Sequence, residues 1–172
     1  MMLHKLVLGK IFAHALRSFS SSAEPSLLKV GDVLKLKRVF SYQDVLDYAQ
    51  VTHDSNPLHF NAELAREAGF EDALVHGMLV ASLFPRIISS NFPGAVYASQ
   101  SLNFKLPIYV GEEVTGEVQA ISIKQMKQKH IFFLCSRAKF TTKCFKQSEL
   151  VIDGEALAVL PTLAFRQAES DE

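Results

Sequence analysis

The spacing of hydrophobic residues along this chain changes at Gly94. Upstream, Leu34 to Phe40 alternates apolar and basic positions as a strand does, whereas Tyr42 to Val51 and Ala73 to Ser90 are rich in apolar residues at helical spacing. Downstream, alternating and β-branched residues predict four further strands. These strands span Val96 to Phe104, Glu113 to Lys124, Ile131 to Thr142 and Ala156 to Thr162.

The first helix has a clear start signal. Ser41 is a good N-cap residue, and Asp44 follows three positions later, where an acidic side chain supports the first turn. The helix is predicted to bury three apolar side chains, those of Val45, Leu46 and Ala49.

A loop separates this helix from the next one. Pro57 cannot continue a helix, and it pushes the preceding residue toward an extended conformation, so Asp54 to His59 is predicted to be a loop. Asn61 then caps a short helix that ends at Gly69, a plausible C′ glycine.

The segment from Ala73 to Ser90 is the most apolar part of the chain. Its apolar residues occupy nearly all helix faces, which predicts that other structure surrounds the helix, and Pro85 is a potential kink. Asp153-Gly154 is predicted to be a turn before the last strand. One buried helix beside a long antiparallel sheet indicates an α+β fold, with the sheet wrapped around that helix.

Composition narrows the class of protein. The 172 residues suit a single domain, and 48% hydrophobic with 21% charged residues is ordinary for a globular chain. Lys plus Arg and Asp plus Glu both number 18, which argues against a nucleic-acid-binding protein. No apolar run reaches the length of about 18 residues that a membrane span needs.

Charge is distributed unevenly, because residues 1–22 contain no acidic residue. They carry Lys5, Lys10 and Arg17 among apolar residues at roughly helical spacing, followed by a serine-rich stretch. This composition predicts a cleavable mitochondrial presequence, whereas a short surface-helical or disordered N-terminus is the alternative. Residues 23–172 then form one domain with 15 basic and 18 acidic groups, a net charge of −3.

The loop around Pro57 carries the densest group of reactive side chains. Asp54 and His59 are five residues apart, so a turn rather than a helix is needed to bring them together. A carboxylate beside an imidazole can exchange protons near neutral pH. On spacing alone, ordinary capping at the protein surface is the favoured explanation of this pair.

His76-Gly77 at the start of the apolar helix is a second candidate. A glycine at a helix N-terminus leaves a backbone N–H accessible to an oxyanion, although tight packing explains Gly77 as well. Ser82 lacks a nucleophile motif, and a serine within a helix usually bonds to a preceding carbonyl. His53, Asp54, His59 and His76 lack a zinc-binding pattern, so no metal or cofactor is predicted.

Three motifs in this order resemble the MaoC-like, or (R)-specific enoyl-thioester hydratase, family. They are Phe40-Ser41 to Asp54–His59, Val75 to Phe84, and Gln100 to Val114. The resemblance runs from about Leu28 to Leu160 and implies a single hotdog fold, in which an antiparallel sheet wraps around one long buried helix. It also implies a homodimer.

The resemblance assigns roles within the motifs. Asp54 and His59 match the catalytic dyad, Asn56 the loop position that orients it, and Gly77 the oxyanion-hole donor. Ser82 matches a residue that helps to hold the dyad, and the segment His76-Gly77-Met78 matches the substrate-binding turn. His53 departs from the pattern, because the family usually has glycine at that position.

The implied activity is the reversible dehydration of an (R)-3-hydroxyacyl thioester, without a cofactor. With the leader, the resemblance favours the mitochondrial matrix and an acyl-carrier-protein thioester, with coenzyme A as the other carrier. A hotdog acyl thioesterase and a non-catalytic acyl-carrier-binding assembly factor are the competing interpretations.

Overall fold

The computed structural model describes residues 26–126 and 135–165, which form an α+β fold. Five antiparallel strands make the main sheet in the order β2-β4-β5-β6-β3. They are β2 (Val33–Val39), β3 (Val96–Phe104), β4 (Glu113–Met126), β5 (Cys135–Lys146) and β6 (Glu149–Leu160). Two short strands, β1 (Ser26–Leu27) and β7 (Ala164–Phe165), pair with each other.

The helices that the structure describes all precede β3 in the chain. They are α1 (Tyr42–Thr52), α2 (Ala62–Glu67), α3 (Gly77–Ala81) and α4 (Leu83–Asn91). The predicted first helix is confirmed with its capping box, since the side chain of Ser41 accepts from the Asp44 backbone and Asp44 accepts from the Ser41 backbone. Val45 is fully buried and Ala49 half-buried, but the prediction for Leu46 is wrong, because its side chain is 38% exposed.

The predicted apolar helix forms α3 and α4, which meet at Ser82. Ser82 keeps right-handed helical backbone angles, so the axis continues through it. Pro85 has no N–H to donate to the carbonyl four residues before it, and this missing bond accounts for the interruption. Leu83, Phe84, Ile87 and Ile88 of α4 are buried against the sheet.

The helical segment packs closely on the sheet at Gly116 of β4. A Cβ atom built there would lie 3.2 Å from both Leu83 Cβ and Ile87 Cδ1, so the missing side chain lets α4 approach the strand. Inward-facing residues of the three central strands complete the core beneath it. They include Val114, Val118, Phe140, Cys144, Ala156 and Ala158. This arrangement is the predicted sheet around a buried helix.

The prediction for Asp153-Gly154 is wrong. Both residues lie inside β6, where Asp153 pairs with Asn103 and Gly154 with Leu102 of β3. The turn before β6 is instead at Gln147, whose φ of 55° is left-handed. Gly154 is needed for a different reason, because an added Cβ would lie 1.8 Å from the carbonyl oxygen of Ser101.

Gly154→Ala is expected to destabilise the fold by about 3 kcal/mol or more, because β3 and β6 must separate to relieve the overlap. Urea unfolding measures this change. Glu155→Ala, at the next and exposed position of β6, is the control and is expected to change stability by less than about 1 kcal/mol. Equal midpoints for the two variants would disprove this account of Gly154.

Two predictions extend outside the described residues. The leader, residues 1–22, lies outside them, as do residues 131–134 of the predicted strand Ile131 to Thr142. Among the helices that the structure describes, none combines the length and apolar character required to cross a membrane.

Candidate active site

Asp54 follows the C-terminus of α1. The helix ends at His53, whose φ of 59° and ψ of 21° reverse the chain while its N–H donates to Ala49 O. The Asp54 N–H donates to Thr52 Oγ1 at 3.3 Å, and Asp54 Oδ1 accepts from the Asn56 N–H, also at 3.3 Å. The carboxylate is therefore oriented by local backbone bonds and stays half exposed.

The turn after Asp54 brings His59 back toward it. Asn56 caps a short 3₁₀ turn, Pro57–His59, by accepting from the Leu58 N–H at 3.1 Å. His59 Nδ1 donates to the carbonyl of Leu74 at 2.9 Å. Because that partner can only accept, the proton sits on Nδ1, and Nε2 carries the lone pair with which His59 can bind a proton.

The segment before α3 anchors this turn. Its Leu74 N–H donates to Leu58 O at 2.9 Å, and its Val75 N–H donates to Ile108 O at 2.8 Å. The carbonyl that orients His59 is thus held between the 3₁₀ turn and the segment that follows β3. The structure brings Asp54, Asn56 and His59 into one compact unit.

His76 lies directly against this unit. Its ring stacks on that of His59 with 3.6 Å between centroids, and its Nε2 is 3.3 Å from the Asp54 carbonyl oxygen. The side chain is 2% exposed, and Nδ1 has no hydrogen-bond partner among the described residues. Burial lowers the pKa of His76, and the hydrogen bond to the Asp54 carbonyl opposes this only in part.

Gly77 begins α3 at the wall of a cavity. Its N–H is the first of the helix and has no intrahelical acceptor, so it is available to an oxygen atom bound in the cavity. A Cβ at this position would lie 2.8 Å from Phe104 Cε1. A larger residue at this position would therefore have to displace the exposed Phe104 ring.

The cavity has a volume of about 450 Å³ and is largely apolar. His59, Gly77 and Met78 line it, whereas neither Asp54 nor His76 is among the lining residues. The remaining wall residues include Phe70, Leu74, Val80, Phe104, Leu106 and Ile152. A hydrophobic cavity whose wall includes an imidazole, Lys105 and a helix-terminal N–H suits an apolar chain that carries a polar reactive group.

The wall residues from β3 and β6 were not identified from the sequence as part of the site. Phe104 and Leu106 lie within the third motif, so the resemblance contained a signal for them. Nothing in the local sequence marks Ile152, because its contact with the cavity depends on how β6 packs beside β3.

Ser82 is exposed, and its hydroxyl donates to Leu79 O at 2.6 Å. This is the bond to a preceding carbonyl that serine makes within helices. Among the described residues, no hydrogen bond joins Ser82 to Asp54 or His59. The role that the resemblance gave it stays a prediction.

Within residues 26–126 and 135–165, one set of side chains has the spacing for a metal ion. One potential ligand atom from each of Asp54, His59 and His76 lies within 4.8 Å of the others. The Nε2–H of His76, however, is directed at the Asp54 carbonyl, and a protonated nitrogen cannot bind a metal. Binding of a metal through this nitrogen would therefore require the loss of that hydrogen bond.

His53→Gly is expected to stabilise the chain by about 0.5–1 kcal/mol, because a left-handed conformation is unfavourable for a side chain and free for glycine. Thermal unfolding measures the change. His53→Ala, which keeps the Cβ, is the control and should show no gain. A lower melting temperature for His53→Gly would contradict the expected relief of strain.

The sequence matches one protein family and several known proteins. A family model described as MaoC like domain matches residues 26–133. The mitochondrial 3-hydroxyacyl-[acyl-carrier-protein] dehydratase of Arabidopsis thaliana is 58% identical over 91% of this chain and 92% of its own. The (R)-specific enoyl-CoA hydratase of Aeromonas caviae is 39% identical over 78% of this chain and 96% of its own.

Solved structures of similar fold include relatives of this family. The A. caviae (R)-hydratase structure has a TM-score of 0.68 at 36% identity, covering 78% of this chain and 98% of that one. A Mycobacterium tuberculosis protein with a double hotdog fold has a TM-score of 0.68 at 16% identity. The match covers 84% of the present chain and 44% of the M. tuberculosis chain. The fold of the present chain is thus a hotdog. Within that class, the chain belongs to the MaoC-like family.

Proposed function

We propose that this protein is an (R)-3-hydroxyacyl-thioester dehydratase, which also hydrates trans-2-enoyl thioesters in the reverse direction. The observation that carries the proposal is the Asp54–His59 pair, of which His59 lines the apolar cavity together with Gly77. The names of the relatives, a 3-hydroxyacyl-[acyl-carrier-protein] dehydratase and an (R)-specific enoyl-CoA hydratase, support the same reaction.

The residues divide the reaction between them. Dehydration removes a proton from C2, breaks the C3–O bond and releases the hydroxyl as water after it gains a proton, leaving a C2–C3 double bond. Asp54 and His59 together accept the first proton and supply the second, and Asn56 maintains the turn that joins them. Because the two groups act as a pair, no single proton is assigned to either of them.

Gly77 stabilises the charge that this chemistry creates. Loss of the C2 proton places negative charge on the thioester oxygen, and an N–H directed at that oxygen stabilises it in the absence of water. Met78 and the apolar wall then contact the acyl chain. The assigned substrate contacts are therefore those of Gly77 and Met78, and the reaction needs no metal or redox cofactor.

The substrate is an acyl thioester, and we favour one on acyl carrier protein in mitochondrial fatty acid synthesis. The mitochondrial relatives from Arabidopsis thaliana and Solanum lycopersicum, at 58% and 56% identity, bear acyl-carrier-protein dehydratase names. The acid-free leader of residues 1–22 agrees with import into the matrix followed by cleavage.

Hydration of trans-2-enoyl groups on acyl carrier protein and on coenzyme A, with the product's stereochemistry determined, tests the proposal. Loss of the enoyl absorbance with an (R)-3-hydroxyacyl product is expected, with faster turnover on the carrier protein. Release of free thiol without hydration would show a thioesterase instead. Binding of the acyl carrier without either change would show a non-catalytic assembly factor.

We also propose a homodimer, as the resemblance implies. Three large apolar side chains that line the cavity are exposed in the single chain, namely Met78, Phe104 and Leu106 at 55%, 52% and 42%. A second copy that covers them would exclude water from the site. Light scattering at micromolar concentration is expected to give twice the mass of the chain, and a monomeric mass would refute the dimer.

A further inference from the structure

His76 is close to the reactive side chains and yet has no surface on the cavity. It is 2% exposed and is not among the residues that line the cavity, although Gly77 and Met78, which follow it, are. A direct contact with an acyl thioester therefore does not account for its position. Its contacts within the protein are more informative.

These contacts involve both members of the proposed dyad. The His76 ring covers one face of His59, at 3.6 Å between centroids and an angle of 25°. Its Nε2 donates to the Asp54 carbonyl at 3.3 Å, and the same atom is 4.0 Å from Asp54 Oδ2. Tyr48 of α1 packs on the His76 ring at 4.9 Å, which fixes the ring from the helix that leads into Asp54.

We infer that His76 is a positioning residue, which holds the face of His59 by stacking and the backbone of Asp54 by its Nε2–H bond. The inference rests on the proposed function. Burial lowers the pKa of His76 and so favours the neutral ring, which supplies the Nε2–H donor without placing a charge beside His59. A neutral ring also leaves the exchange of protons with the substrate to the dyad.

The unpaired nitrogen of His76 supports a role in the site rather than in stability. Buried polar atoms nearly always have a hydrogen-bond partner, and leaving one without a partner is unfavourable. His76 Nδ1 has none among the described residues. A phenylalanine would fill the same space without this penalty, so the need for the Nε2–H explains why histidine is present.

Three variants separate the two contacts. His76→Phe keeps a ring against His59 and removes the donor, His76→Gln keeps an N–H donor and removes the ring, and His76→Leu removes both. Displacement of a reacting group by about 1 Å can lower a rate about 100-fold, and this loss of kcat is expected for His76→Leu. His76→Phe and His76→Gln are each expected to recover part of it, with KM within about threefold of the wild type.

Val118→Ala, at a fully buried position of β4, is the control for a general loss of stability. It is expected to lower the melting temperature and leave kcat unchanged. The inference is overturned if His76→Leu keeps kcat within about threefold of the wild type, if the loss appears in KM rather than kcat, or if neither single-contact variant exceeds His76→Leu. Absence of hydration by the wild-type protein would instead refute the proposed function.

Discussion

Asp54→Asn is expected to lower kcat for enoyl-thioester hydration about 10²–10⁴-fold, the range of general acid–base catalysis. The amide has the shape of the carboxylate, and its oxygen can still accept from the Asn56 N–H, so the turn is preserved. What the variant loses is the ability to exchange a proton. Steady-state hydration kinetics with a trans-2-enoyl thioester measure the effect.

His59→Ala is expected to give a loss of the same size. Because the proposed mechanism makes the two residues one proton-transfer unit, the double variant should be little worse than either single variant. Asp47→Asn is the matched control, since Asp47 is an exposed aspartate of α1 that bonds only to Gln43 among the described residues. Near-wild-type activity in both single variants would eliminate the dyad.

Gly77→Pro tests the oxyanion donor. Proline removes the N–H, and loss of one such donor typically lowers kcat about 10²–10³-fold. The backbone accepts proline here, because the first position of a helix suits it and the ψ of 125° at His76 is in the range that a following proline requires.

Gly77→Ala separates the lost donor from the added bulk. Alanine keeps the N–H but places a Cβ 2.8 Å from Phe104 Cε1, so the exposed ring must move. Its kcat is expected to exceed that of Gly77→Pro by at least about tenfold, although both share the steric effect. Equal kcat values would mean that packing alone explains Gly77.

The position of Asp54 and His59 on one turn could be predicted from the local sequence. Asp54, Asn56, Pro57 and His59 are close in the chain, and the rules for proline and asparagine turns suffice to predict a loop that brings them together. The start of α1 at Ser41 and the glycine after α2 were predictable in the same way, because caps depend on residues within one turn. Spacing alone, however, did not separate catalysis from surface capping.

Long-range contacts account for the errors. Asp153-Gly154 has the composition of a turn, yet Gly154 is required by the carbonyl of Ser101, more than 50 residues away in the sequence. Leu46 has the helical spacing of a buried residue, but no described element covers it fully. In both cases the local sequence was typical of the predicted structure. Contacts with other elements, which the local sequence does not show, determined the conformation of Gly154 and the exposure of Leu46.

The sequence by itself thus determined the fold class, the boundaries of the first helices and the turn that carries Asp54 and His59, since each depends on local periodicity or capping. Only the tertiary structure decided the place of His76. Its stacking on His59, its bond to Asp54 and its absence from the cavity wall arise where α1, the 3₁₀ turn and the start of α3 meet. The spacing of residues along the chain does not predict these contacts, because they arise from packing between separate elements.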